Sequence, residues 1–158
     1  MQVEPQQLKA FLLDAGLISE KQFEEAKARA ERTSQEVGDV LVSEGLISER
    51  KLIKLKAYIL GIPFVNLENV EIDPEVLKIV PEPVARSHNI IAFRRKGKDL
   101  EVAMLDPKDL RTIEFIKKSS HLNILPRLTT PDGIKNALRQ YAETLEAEFG
   151  DIIHKDAG

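Results

Sequence analysis

Two copies of the pentapeptide Gly-Leu-Ile-Ser-Glu, at 16–20 and 45–49, constrain this chain more than any other feature. The copies stand 29 residues apart, and the same offset carries Leu8 onto Val37, Leu12 onto Leu41, Leu13 onto Val42, Phe23 onto Leu52 and Ala28 onto Ala57. The apolar pattern therefore repeats where the identities do not, and each unit reads as helix, turn, helix. Gly16 and Gly45 fall where the first helix must stop, at the left-handed position that glycine occupies without steric cost. Ser19 and Ser48 then offer a hydroxyl to the first backbone N–H groups of the next helix. Gln22, three residues after Ser19, completes a capping box in the first unit, whereas Lys51 stands at that place in the second. Glu20 and Glu49 add negative charge where a helix dipole favours it. Phe23, Ala26 and Ala30 share one helix face, as do Leu52, Leu55 and Ile59.

After Leu60 the pattern changes. "GIPFVNL" (61–67) reads as a short strand, and Asp73-Pro74 opens a short helix through about Val80. "PEPVARSH" (81–88) reads as one more helical piece. Residues 89–106 form a β-hairpin around Lys96-Gly97-Lys98. Asp106-Pro107 is expected to open a helix reaching about Ser119. Residues 122–129 supply a third strand, in which Pro126 points to a sheet edge or a bulge. Thr130-Pro131 starts the last helix. The expected fold class is α+β, with a helical subdomain of two helix-turn-helix repeats (1–60), then a small, mainly antiparallel sheet with flanking helices (61–142). Residues 143–158 read as a linker or tail.

Composition narrows the function classes. No cysteine is present, so neither disulfides nor thiolate metal sites hold this fold. His88, His121 and His154 have no metal-ligand spacing, so no metal or cofactor is expected. Gly97-Lys98 is followed by Asp99 and lacks the preceding glycine of a phosphate-binding loop. Asp99, Asp106 and Asp109 form an acidic cluster in sequence, but turn and cap duties explain Asp99 and Asp106 more simply, and no catalytic residue is assigned. No run approaches the roughly 20 apolar residues of a membrane span. Arg50, Lys51, Lys54 and Lys56 bring a DNA-reading helix to mind, but a net charge of −3 argues against nucleic acid as partner. The strongest surface signal is "FRRKGK" (93–98): Arg94, Arg95, Lys96 and Lys98, with Arg86 upstream, read as a docking patch for an acidic partner or for anionic lipid heads.

The two units 7–30 and 36–59, joined by "ERTSQ" and followed by "LGIPFVNL", "IDPEVLKIVPEPVARSHNIIAF" and "LEVAMLDPKDLRTIEFI", come in a familiar order. Over about residues 6–142 the chain resembles the N-terminal domain of type II secretion and type IV pilus assembly ATPases. The resemblance implies a cytoplasmic domain, peripheral at the inner membrane through partners, that joins a hexameric ATPase motor to inner-membrane assembly proteins by docking. Hexamer formation would belong to the motor region, whose phosphate-binding loop is not in this sequence.

Some members of that family bind cyclic di-GMP through the tandem motif, which opens Arg-Leu-Gly in each unit and closes with Gln. The matching positions that would line such a ligand are Leu8, Leu12, Leu13, Gly16 and Leu17, then Gly38, Asp39, Leu41, Val42 and Gly45. This chain opens its units Gln7-Leu8-Lys9 and Glu36-Val37-Gly38, and closes them with Ala30 and Ile59. Lys27 and Lys56 replace a motif leucine. A charge-assisted hydrogen bond contributes about 1.5–3 kcal/mol, so losing several should abolish micromolar affinity. The expected function is thus non-catalytic regulation and partner docking, with a cyclic di-GMP sensor as the alternative.

Overall fold

The structure, a computed structural model, describes residues 3–157, with side chains described through Leu145. Its elements run α1 (Pro5–Asp14), α2 (Glu20–Thr33), α3 (Val37–Ser43), α4 (Glu49–Leu60), α5 (Pro74–Leu77) and α6 (Glu82–His88). They continue β1 (Ile90–Lys96), β2 (Asp99–Met104), α7 (Leu110–Ser120), β3 (Asn123–Leu128) and α8 (Pro131–Ala157). The chain divides into two compact units, 1–64 and 65–158.

In the first unit the repeat folds as its punctuation dictates. Gly16 and Gly45 take φ of +69° and +76°. Around the first, the Leu17 N–H donates to the Leu12 carbonyl (3.1 Å) and the Gly16 N–H to that of Leu13 (3.0 Å). Leu46 to Leu41 and Gly45 to Val42, both 3.0 Å, repeat the pattern in the second copy. This double closure satisfies carbonyls that a helix end otherwise leaves open. The chain then reverses, and repeat-related pairs enter one core: Leu8 with Val37, Leu12 with Leu41, Ile18 with Ile47, Phe23 with Leu52. Each such side chain contributes roughly 1.5–3 kcal/mol when fully buried.

The second unit is built on a three-stranded sheet in the order β1-β2-β3. The α+β class holds, but the sheet is mixed: β1 and β2 pair antiparallel through the Gly97 turn, while β2 and β3 pair parallel. The reason lies in the connection. A two-residue turn reverses the chain, whereas α7 carries it back along the sheet so that β3 starts again beside Asp99. Pro126 sits on the edge strand, where its missing N–H costs nothing to a further neighbour. Residues 90–92 and 102–104 are buried in succession, so both sheet faces are covered at that end. Toward the turn the strands emerge, and residues 94–99 are exposed.

Two local expectations are corrected. Residues 61–67 make no strand, only a bridge at Phe64 and a bond from the Val65 N–H to the Leu128 carbonyl (2.8 Å). The helix after Asp106 starts at Leu110, and its cap is Asp109, whose Oδ1 accepts from the Thr112 N–H at 3.3 Å. Asp106 instead accepts from the Lys108 N–H (3.0 Å), which closes a turn that holds Pro107 outside the helix. The last helix, α8, continues through residues 143–157, within the segment read as a linker or tail. Its first half is tied to the loop before α5: Asn136 Nδ2 donates to the Leu67 carbonyl (2.8 Å) and Gln140 Nε2 to that of Val70 (2.8 Å).

Candidate functional site

The tandem motif gives the first candidate. Of the ten motif-matching positions, Leu8, Leu12, Gly38 and Leu41 are buried in the helical core, and Leu13 and Val42 are half-buried. Gly16, Leu17, Asp39 and Gly45 face outward, Leu17 with 37% of its surface exposed. The fold thus brings apolar and turn residues of both units together without assembling polar groups among them.

The positions that would carry ligand-binding polar groups have other tasks. Gln7 closes a cap at the start of α1, its Oε1 accepting from the Glu4 N–H at 3.3 Å. Glu36 N-caps α3 by its backbone position and faces Lys56 Nζ at 4.0 Å. Ala30 is buried and Ile59 half-buried, so neither unit ends in a polar contact. Lys9 points along α2, with Nζ 2.7 Å from Glu24 Oε1 and 3.3 Å from Glu20 Oε1. The Glu24 hydrogen bond raises the Lys9 pKa, and the same bond lowers that of Glu24.

Residues 9 and 38 are repeat-related, and so are their neighbours 23 and 52. Lys9 Nζ lies 6.0 Å from the Phe23 ring centroid. At the equivalent place Gly38 has no side chain, and Leu52 fills the space. One contact site is therefore kept in both repeats with different chemistry.

Sequence reading missed two grooves. One, of about 390 Å³, is lined by Arg29, Arg32, Thr33, Gln35, Val40, Ser43 and Glu44. There Arg29 grips Glu44 through both Nε and Nη2, the latter at 2.6 Å, and this bond raises the Arg29 pKa. The pair is fifteen residues apart and carries no local signature. The other groove, about 620 Å³, is lined by Glu68, Arg86, Asp132, Lys135, Leu138 and Arg139. The i,i+4 spacing of Lys135 and Arg139 was its one visible signal.

The residues of the expected docking patch have different surroundings. Arg86 pairs with Glu82 (2.9 Å) and lines the larger groove. Arg94 pairs with Glu101, whose Oε1 also accepts from Arg127 Nε at 3.1 Å, so one carboxylate on the central strand ties both neighbours. Arg94 is the main cause of the lowered Glu101 pKa, with Arg127 adding to it. Arg95 donates to the Gly97 carbonyl (2.9 Å), and Lys96 and Lys98 are exposed at the turn. Elsewhere His88 Nδ1 lies 3.3 Å from Asp109 Oδ2. Among the described residues no group of three or more His, Cys, Asp or Glu is placed to hold a metal ion, and no helix is long and apolar enough to cross a membrane.

Comparison with known proteins gives this arrangement a family. The chain is 32% identical over 145 residues to the type IV pilus assembly ATPase PilB of Myxococcus xanthus, a match covering 89% of the chain and 26% of that protein. The chain thus spans about a quarter of that relative's length. A solved structure of MshE with cyclic di-GMP superposes with a TM-score of 0.71 at 26% identity, covering 89% of this chain and 99% of that one. The N-terminal domain of XpsE shares the fold, with a TM-score of 0.59 at 16% identity over 88% and 96% of the two chains. The MshEN domain family matches residues 60–148, more than half of the sequence. The chain belongs to the MshEN domain family and matches part of the type IV pilus assembly ATPase PilB.

Proposed function

We propose that this domain is a non-catalytic regulatory and docking module that couples an assembly ATPase to inner-membrane assembly proteins and sits at that membrane through them. The observation that carries the reading is the fate of the tandem motif. Its turn and core residues are intact, while Glu36 faces Lys56, Lys9 faces Glu20 and Glu24, and Ala30 is packed in the core. A repeat with inward-facing or self-paired polar positions supports a rigid platform better than a receptor. The test is capture of cytoplasmic segments of the system's inner-membrane proteins by this chain. Saturable binding of one of them supports docking, and binding of none of them refutes it.

A second reading is favoured by one finding, the likeness to MshE with cyclic di-GMP. On that reading Leu13, Gly16, Leu17, Asp39, Val42 and Gly45, the motif positions with exposed surface, would meet the dinucleotide. A ligand at 100 times its dissociation constant stabilises by about 2.7 kcal/mol, so thermal unfolding separates the readings. An unchanged melting temperature at saturating cyclic di-GMP removes the sensor.

A further inference from the structure

The turn between β1 and β2 does not stand alone. The Asn123 N–H donates to the Lys98 carbonyl at 2.7 Å, and Asn123 Nδ2 donates to Asp99 Oδ1 at 3.1 Å. α7 ends at Ser120, with His121 as its cap, so its last turn is delivered to the same end of the sheet. Lys117 and Lys118, some twenty residues from the hairpin in sequence, thereby lie in the helix turn that leads into β3 at the hairpin end of the sheet, where Arg95, Lys96 and Lys98 are exposed.

Lys9, Arg29, Lys56, Arg86, Arg94 and Arg127 each face a carboxylate. Lys96, Lys98, Lys117 and Lys118 are exposed, and none of the four has an ion partner among the described residues. Asp99 is engaged with Asn123, and Glu114 lies a turn further back on α7. A cationic end is thus segregated on a chain whose net charge is −3. Lys117 and Lys118 also complement the negative end of the α7 dipole, but that role makes no demand on the hairpin lysines.

We infer that this end of the sheet, with Lys96, Lys98, Lys117 and Lys118 at its surface, rests on an anionic lipid bilayer. The residue type decides between surfaces. Lysine is depleted in protein interfaces, where arginine and aromatic residues carry the binding energy. A fringe of mobile ammonium groups suits a laterally mobile sheet of anionic headgroups, which needs no fixed geometry. None of the four lysines lines either groove. The inference goes beyond protein docking and does not depend on it.

Flotation of the chain with phosphatidylcholine vesicles, with and without about a third phosphatidylglycerol, tests it. Binding is expected only to the anionic vesicles, and added salt should release it. Each lysine neutralised should weaken binding roughly fivefold, so Lys96→Gln/Lys98→Gln should lose about twenty-fivefold, and so should Lys117→Gln/Lys118→Gln. Arg94→Gln, whose charge is already met by Glu101, should bind nearly as the parent does. These are surface changes, and an unaltered melting curve verifies the fold. Equal binding to both vesicle types, no binding to either, or loss confined to Arg94→Gln overturns the inference. Retention on an acidic polypeptide such as poly-glutamate without vesicle binding overturns it in favour of a protein partner.

Discussion

Gly38 lies so close to Leu52 that a Cβ built on it would stand 3.1 Å from the Leu52 Cδ2 and 3.4 Å from Cδ1. The glycine of the second motif copy is therefore a packing residue in which α3 meets α4. Gly38→Val should cost about 1–3 kcal/mol by overpacking, and Leu52→Ala about 2–5 kcal/mol by leaving a cavity. The double variant should cost clearly less than the sum, because each change relieves the other. Additive losses in denaturant melts would show that the two residues do not share this space.

The repeat is asymmetric at its helix starts. Ser19 accepts from the Gln22 N–H (3.2 Å) and Gln22 Oε1 from the Ser19 N–H (2.9 Å), whereas Ser48 accepts from the Lys51 N–H with no return bond. Ser19→Ala and Ser48→Ala should each cost about 1 kcal/mol. Gln22→Ala should add a loss of several tenths, and Lys51→Ala should cost nothing through the cap. Equal effects of the last two in chemical melts would remove the capping-box account.

Asp109 caps α7 and is held by Thr112, whose Oγ1 donates to Oδ2 at 2.7 Å. That side-chain bond leads the causes that lower the Asp109 pKa, with the Thr112 N–H and His88 contributing. Because the folded value lies below the unfolded one, its stabilisation is complete above the unfolded value near 4 and is lost as pH falls through the folded value. Asp109→Asn should therefore be less stable than the parent at neutral pH, and the gap should close below about pH 4. A gap that widens in acid would contradict the assignment.

How much of this was legible beforehand depends on how local each signal is. The two turns were readable because Gly, Leu, Ile and Ser each act within five residues. Pro126 announced an edge strand by itself. The α7 cap was misplaced because Asp106-Pro107 imitates a helix start, while the Asp109–Thr112 pair that makes the cap has the same spacing and no proline. The parallel pairing of β3 was hidden, since register between Asp99 and Asn123 depends on where α7 lands. The docking patch joined Arg86 to the hairpin by sequence proximity, but α6 turns it toward α8. The hairpin's companions, Lys117 and Lys118, come from a helix that only the crossover brings near.

Tyr141 anchors α8 on the segment after α5, its hydroxyl 2.7 Å from the Val80 carbonyl and 3.1 Å from that of Leu77. Burial pushes its pKa well above the ordinary tyrosine range, so it stays a donor throughout the accessible pH range. Tyr141→Phe keeps the packing and leaves buried carbonyls unpaired, which should cost about 1–3 kcal/mol. An unchanged unfolding midpoint would show that those carbonyls find other donors.

The central claim is that the tandem motif here keeps its turns and core and has given up its ligand. Calorimetric titration of cyclic di-GMP into the chain tests this most directly. The account predicts no saturable heat, with any dissociation constant weaker than about 100 µM. A one-site isotherm with a dissociation constant of about 1 µM would contradict it.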